Sequence, residues 1–354
     1  MLSGVALAQH RFARALGAAG HEVDFIVGRV DPELVVPPSP QVTVHDLGLQ
    51  KARYMVRPFW SYLRREKPDL VFSAEDHLNT LVVLTAWAAR SPVRISGSSR
   101  VTPFDTYSDK PFTKRWILKK LSRLSFRRAD VLSCVSRDMV GQYRETFGTA
   151  VPHIAIYNII DDPASRERMR EPVTEPWLKE KILPVVIAAG ALAEWKGFGD
   201  LIAAFARACT PARLIILGEG PLRAELEAQV NALGIADRVK LPGHTANTLA
   251  HFARSDVFVL SSRVEGLPNV LVEAMMCGCT PVSTDCPTGP REVLDNGRFG
   301  TLVRVGDQAA LAMAIDHALA HPVPPNLLAE AIRPFKAETI IAQHFKALGL
   351  EDQQ

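Results

Sequence analysis

Residues 261–294, SSRVEGLPNVLVEAMMCGCTPVSTDCPTGPREVL, decide the fold of this 354-residue chain. An apolar run, Asp256 to Leu260, precedes them and reads as a buried parallel strand; Pro281 and Val282 begin another. Pro268 suits a first helical turn, where its missing N–H costs nothing, and Gly278 suits the position past a helix end. The stretch therefore predicts strand, loop, helix, strand. A helix starting near Pro268 aims free N–H groups and its positive dipole end beyond the strand's carboxyl end, a ready place for phosphate. Glu265 falls in the loop at that mouth and Glu273 more than a turn inside the helix.

Working outward, the same alternation fills both halves. Candidate strands at 22–27, 69–73, 93–97 and 131–135 separate helical patterns at 5–19, 53–66, 77–90, 112–127 and 137–147. A second set of strands near 183–189, 213–217, 256–260 and 280–284 ends in a helical stretch at 326–348. This pattern predicts α/β architecture with parallel, doubly wound sheets. Between the sets, DDPASRERMREPVTEPWL at 161–178 is polar and proline-punctuated and marks a domain boundary.

Composition narrows the class. No run of eighteen apolar residues and no signal-like segment occurs, which predicts a cytosolic protein. Five cysteines, odd in number and mostly in apolar runs, fit a reduced compartment; Cys277 and Cys279 have the wrong spacing for a zinc pair and read as small buried hydrophobes. Residues 1–170 carry 25 Lys and Arg against 17 Asp and Glu, and residues 171–354 carry 16 against 21. The first half is thus basic and the second acidic, as expected if one domain meets an anionic partner. KPFTKRWILKKLSRLSFRR at 110–128 concentrates this with eight basic residues and no acid. It reads as a helix that packs an apolar stripe on the sheet and leaves a basic face for solvent or anionic headgroups. No base-reading module for nucleic acid is present. LGEGPLR at 217–223 lacks the third glycine of a dinucleotide loop, so a nicotinamide or flavin reading is set aside.

The EGLPNVLVEA string, with seven residues between its two glutamates, resembles the signature of retaining glycosyltransferases of the group 1, family 4 type. AGHEVDFIV, RADVLSCVS, YNIID, WKGFGDLIAAF, LGEGPLRAELE and NGRFGTLVRVGD extend the resemblance over nearly the whole chain. It implies a GT-B fold, two Rossmann-like domains facing a cleft. On that reading residues 1–165 bind acceptor, 166–330 bind the nucleotide-sugar, and 331–354 form a helix crossing back to the first domain. It implies a sugar moved from a nucleotide-sugar, UDP-sugar favoured, to a lipid-linked or cell-surface polysaccharide acceptor such as lipopolysaccharide, with no cofactor or metal. The expected place of work is the cytosol, peripheral on the inner membrane face.

The resemblance also assigns roles. Glu265 contacts the transferred sugar, Lys196 the phosphates, and Glu273 the ribose hydroxyls, a task that suits a carboxylate's two acceptor oxygens. Gly266, Leu267, Pro268, Asn269, Gly190, Gly218, Glu219 and Gly289 line the donor side, and Gly4 marks a glycine-rich turn in the first domain. There Arg100 is the candidate catalytic side chain, with Asp105 and His77 as polar neighbours and Asn158 structural. The chain departs from the family where Ala191 stands in place of the relatives' Arg and where no histidine lies between His77 and His153, and the strand that the family sets ahead of MLSGVALAQH is expected to be missing. Arg263 is a candidate substitute for the absent Arg, or an ion-pair partner of Glu265. Ala191 and the missing strand keep open a nucleotide-sugar-binding protein with little or no transfer activity; a GT-B sugar-nucleotide epimerase is a further alternative that shares the fold but not the EGLPNVLVEA string.

Overall fold

The computed structural model describes residues 4–29, 40–148 and 153–350. The chain divides into two units, residues Met1–Ile159 with Ala337–Gln354, and Ile160–Lys336. The division falls at Ile159 rather than at 165, because Ile160 and Asp161 already bond to the Phe335 carbonyl of the second unit. The closing helical stretch is broken: Pro325–Ile332 belongs to the second unit, Pro334 interrupts it within a 3-10 turn, and Ala337–Ala347 returns to the first.

In the second unit, β7 (Val185–Ala189), β8 (Arg213–Leu217), β9 (Val239–Gly243), β10 (Val257–Leu260), β11 (Thr280–Thr284) and β12 (Thr301–Val303) form one parallel sheet in the order β12-β11-β10-β7-β8-β9. β7, β10 and β11 are buried along their whole length, as a sheet covered on both faces requires. Phe198, Leu201, Ile202 and Phe205 of one helix and Leu311, Ala314 and Ile315 of another close this core. The strand order runs outward from β7 to β9, then restarts at β10 on the other side of β7. The switch point, where ligands bind in open α/β sheets, lies at the carboxyl ends of β7 and β10.

In the first unit, β1 (Val23–Val27) pairs only with β2 (Val42–Asp46), while β3 (Leu70–Ala74), β4 (Arg94–Ser99), β5 (Val131–Cys134) and β6 (His153–Ala155) make a separate parallel sheet. Among the described residues no ladder joins β1 to β3, yet the same helices span both. From the Gly4–Ala18 helix, His10 lies 5.0 Å from the Phe25 ring and Phe12 meets Phe72 edge-on at 4.8 Å. On the opposite face Phe59 and Leu63 cluster with Ile26 and Val71. β1 is half-exposed at most positions, unlike the buried inner strands β4 and β5. Among the described residues the sheet is thus open between β1 and β3.

The Lys114–Phe126 helix corrects one expectation. It meets the Asp76–Ala88 helix through Ser122 and Ser125, turns Phe126 onto Tyr143, Phe147 and His153, and leaves Ile117, Leu121 and Leu124 about half exposed. Small hydroxyl side chains let the two helices approach, with Thr80 and Ser122 Oγ atoms 2.9 Å apart.

Candidate functional site

Four loops of the second unit converge at the carboxyl ends of β7, β8, β10 and β11, and glycines make their approach possible. A Cβ on Gly218 would lie 1.9 Å from the Gly190 carbonyl oxygen, and one on Gly197 would lie 2.2 Å from that of Ser261. A Cβ on Gly289 would meet the Gly266 oxygen at 2.3 Å. Gly218 thus lies backbone to backbone against Gly190, and Gly289 against Gly266. The Ser261 hydroxyl donates to the Lys196 carbonyl at 2.8 Å, and the Arg263 N–H to the Trp195 carbonyl at 2.8 Å, tying the β7 and β10 loops. The Glu265 N–H donates to Pro287 at 2.7 Å and Thr288 returns its N–H to Glu265 at 2.8 Å, tying the β10 and β11 loops.

At the centre of this clamp, Lys196 Nζ donates to Glu265 Oε1 at 2.6 Å, and the Ser262 hydroxyl donates to the same oxygen at 2.6 Å. Both charged side chains are mostly shielded, at 18% and 12% exposure. A shielded pair holds its geometry better than two solvated side chains, because the charges find no better partner in water. Arg263 does not join it: its guanidinium is turned to Asp200 at 2.9 Å and is half exposed. The alternative of an Arg263–Glu265 ion pair is therefore not realised.

Pro268 sits at the cap position with a non-helical backbone, so the helix opens one residue later, over Asn269–Met276. Glu273, in its second turn, is buried. Beyond the helix Gly278 adopts φ +97°, and Cys279 N–H reaches back to the Ala274 carbonyl at 3.0 Å, as a left-handed stop requires. Burial pushes the Cys277 thiol up to about 12, and both it and Cys279 point at backbone carbonyls of the neighbouring helix. Glu219 differs from the expectation in its partner: Arg223 holds its carboxylate through Nε at 2.7 Å and Nη2 at 2.6 Å. Leu267 and Asn269 flank the cap.

The first unit holds the remaining candidates. Gly4 opens the first helix, while the turn read ahead of it falls on residues outside those described. Arg100 follows β4, donates to Asn158 Oδ1 at 2.5 Å, and is lowered to about 10 by burial, against the attraction of Glu75. His77 lies in the first turn of its helix, 3.5 Å from Glu75, and Asp105 is exposed. The sequence reading missed Asp76, which is buried and accepts from Ser99 Oγ at 2.6 Å, Tyr107 Oη at 2.5 Å and Tyr143 Oη. Burial raises its carboxyl above the usual range while the three hydroxyls oppose the shift. The bonds fix the loop from Ser99 to Tyr107 and hence the place of Arg100. An acid at a strand end followed by a helix was the signal available.

Comparison with known proteins follows this geometry. Residues 183–321 match the Glycosyl transferases group 1 family and residues 3–158 the Glycosyl transferase 4-like domain. The chain belongs to the group 1, family 4 glycosyltransferases. It is 30% identical over 231 residues to a Campylobacter jejuni N-acetylgalactosamine-N,N'-diacetylbacillosaminyl-diphospho-undecaprenol 4-alpha-N-acetylgalactosaminyltransferase, covering 65% of this chain and 61% of the relative. It is 36% identical over 160 residues to the lipopolysaccharide core biosynthesis glycosyltransferase LpsE of Rhizobium meliloti, covering 45% of each. These matches span about 60% and under half of the relatives' own lengths. Anabaena HepE in complex with UDP-glucose superposes with a TM-score of 0.74 at 20% identity over 99% of this chain and 96% of that one, which establishes the GT-B fold.

Proposed function

We propose that this protein transfers a sugar from a nucleoside-diphosphate sugar, a UDP-sugar in the first instance, to a lipid-linked or polysaccharide acceptor with retention of configuration. The observation that carries the reading is the Lys196–Glu265 pair at the switch point, a cation and an acceptor fixed side by side. The Campylobacter relative is named for a diphospho-undecaprenol acceptor, the Rhizobium relative for lipopolysaccharide core, and the Anabaena structure holds UDP-glucose; all three support this choice of donor and acceptor. Breaking the bond between the anomeric carbon and the phosphate oxygen leaves negative charge on the diphosphate and positive charge on the sugar. Lys196 meets the first, the Glu265 carboxylate meets the sugar, and Glu273 accepts from the ribose diol. The acceptor oxygen bonds the anomeric carbon on the face the diphosphate leaves, and its proton passes to a released phosphate oxygen. Neither glutamate serves as nucleophile, and the step calls for no metal. The acceptor class places the reaction at the inner face of a membrane.

The test is incubation with a panel of UDP-sugars and undecaprenyl-diphosphate-linked glycans, with the product anomer read by NMR. A new glycosidic bond of the donor's own configuration supports the reading; an inverted anomer overturns the retaining step. Ala191 and the open sheet of the first unit favour a second reading, a protein that binds nucleotide-sugar without transferring it. Nucleotide binding by calorimetry with no product from any acceptor would select it. Donor epimerisation without acceptor would select the epimerase alternative.

A further inference from the structure

The Lys114–Phe126 helix presents a ridge that its own fold leaves uncovered. Ile117, Leu121 and Leu124 follow one another at spacings of four and three, so they share a helix face, and they are 47%, 43% and 45% exposed. Phe112, just ahead of the helix, is 89% exposed and sits 5.8 Å from the Trp116 ring. Lys114, Lys120, Arg123 and Arg127 are exposed on the same helix and its last turn. Lys120 Nζ lies 5.4 Å from the Trp116 ring, while Lys119 pairs with Asp109 at 2.7 Å, Arg115 donates to the Phe104 carbonyl at 2.9 Å, and Arg128 lies over the Trp87 ring at 4.0 Å.

We infer that this ridge inserts into an anionic lipid surface, with Phe112, Ile117, Leu121 and Leu124 entering the headgroup boundary and Lys114, Lys120, Arg123 and Arg127 meeting the lipid phosphates. An apolar row left in water is unfavourable unless something covers it, and the charge around it selects the occupant. Eight basic residues and no acid between 110 and 128 match a surface of one sign, such as phosphatidylglycerol headgroups; a second copy of this chain would bring the same positive face. The ridge is a convex helix surface rather than a groove for a partner helix, which suits the shallow burial of an interfacial helix. The inference deepens the proposed function and rests on it only in taking the acceptor to lie in a bilayer.

The full chain is tested with vesicles of phosphatidylcholine alone or mixed with phosphatidylglycerol. The parent should co-sediment with the mixed vesicles only. The I117S/L121S/L124S variant changes residues that are about half exposed, so its melting temperature should fall little while binding weakens at least roughly tenfold. Neutralising Lys114, Lys120, Arg123 and Arg127 to Gln should weaken binding at low salt and remove its salt dependence. F112W should show blue-shifted fluorescence, quenched by brominated lipid. No sedimentation of the parent, parent-like binding by the triple serine variant, or unshifted F112W emission overturns the inference. So does dimerisation in solution that the triple serine variant abolishes, because the ridge would then be covered by a second copy. Transfer to a detergent-solubilised acceptor should be equal in parent and triple variant. Lost membrane binding with intact transfer therefore counts against the ridge alone, and absent transfer with intact binding counts against the proposed function alone.

Discussion

Lys196 Nζ and Glu265 Oε1 lie 2.6 Å apart although 69 positions separate them in the chain. The loops after β7 and β10 bring them together, and Ser262 secures the same carboxylate oxygen at 2.6 Å. E265Q keeps the shape and the Ser262 contact but removes the charge that faces a developing cation. Turnover should fall more than donor affinity, read as kcat against the Kd for UDP-sugar by calorimetry. Equal binding loss with turnover intact would show the role misplaced. K196M removes the cation from the leaving diphosphate and should lower kcat roughly a hundredfold or more.

Glu273 lies buried on the second turn of the Asn269–Met276 helix, at the end of the loop that carries Glu265. On the proposed reading, removing its carboxylate leaves the ribose hydroxyls unpaired in a shielded place. E273A should weaken nucleotide binding by about 1 to 3 kcal/mol, measured by calorimetry in a variant whose melting shows it folded. Unchanged binding would take Glu273 out of the site.

Gly218 tests whether the clamp depends on backbone contact. Its φ is +139° and an added Cβ would lie 1.9 Å from the Gly190 oxygen, so G218A must part the β7 and β8 loops. A loss of roughly 2 to 4 kcal/mol in stability is expected, with donor binding lost beyond it. Gly234 also has positive φ, +67°, but open space around its Cβ position. G234A should cost only about 1 kcal/mol, the strain of the backbone conformation, and leave nucleotide binding alone.

Most of this architecture was legible because inner strands of a covered parallel sheet must be continuous apolar runs, as β7 and β10 are. The strands that escaped reading are β2, β6, β9 and β12, most of whose residues are half-exposed or exposed, so they carry no such run. The Lys114–Phe126 helix was found, but its buried side was not, since Ser122 and Ser125 are small hydroxyls that sequence pattern assigns to solvent. Glu265 and Glu273 stand in one string and could be read together. Lys196 meets Glu265 only through the fold, and Arg263, nearer in sequence, faces Asp200 instead. Asp76 and its tyrosines come from two separate helices and the loop that ends at Tyr107, which no spacing rule connects.

The opening between β1 and β3 predicts that the first unit gains from an added strand. An apolar strand of the same length as β7, joined ahead of the Gly4–Ala18 helix through a glycine turn, would offer β1 and β3 a ladder partner. Melting temperature should rise, and amide exchange should slow in Val23–Val27 and Leu70–Ala74 while staying constant in β7 and β8. Equal exchange in both forms would show that the two edges need no partner.

His153 makes the first unit sensitive to acid. It is buried, with neither ring nitrogen bonded, between Phe126 at 5.1 Å and Tyr143 at 4.5 Å. Burial lowers it from the ordinary 6.5 to about 3. The folded state therefore keeps it neutral where the unfolded chain binds a proton, so the unfolded state holds more protons from about pH 6.5 down to about pH 3. Stability contributed by the neutral ring is whole above that window and falls as pH drops through it, by about 1.4 kcal/mol per pH unit. Asp76 acts in the opposite direction, because its raised carboxyl retains a proton that the unfolded chain releases, and comparison at fixed pH against H153F cancels it. Phenylalanine keeps the ring contacts and has nothing to protonate, so the H153F unfolding free energy should depend less steeply on pH between 6 and 4. Denaturant titrations across that range decide the matter: parallel curves for parent and H153F would show that another group carries the acid sensitivity.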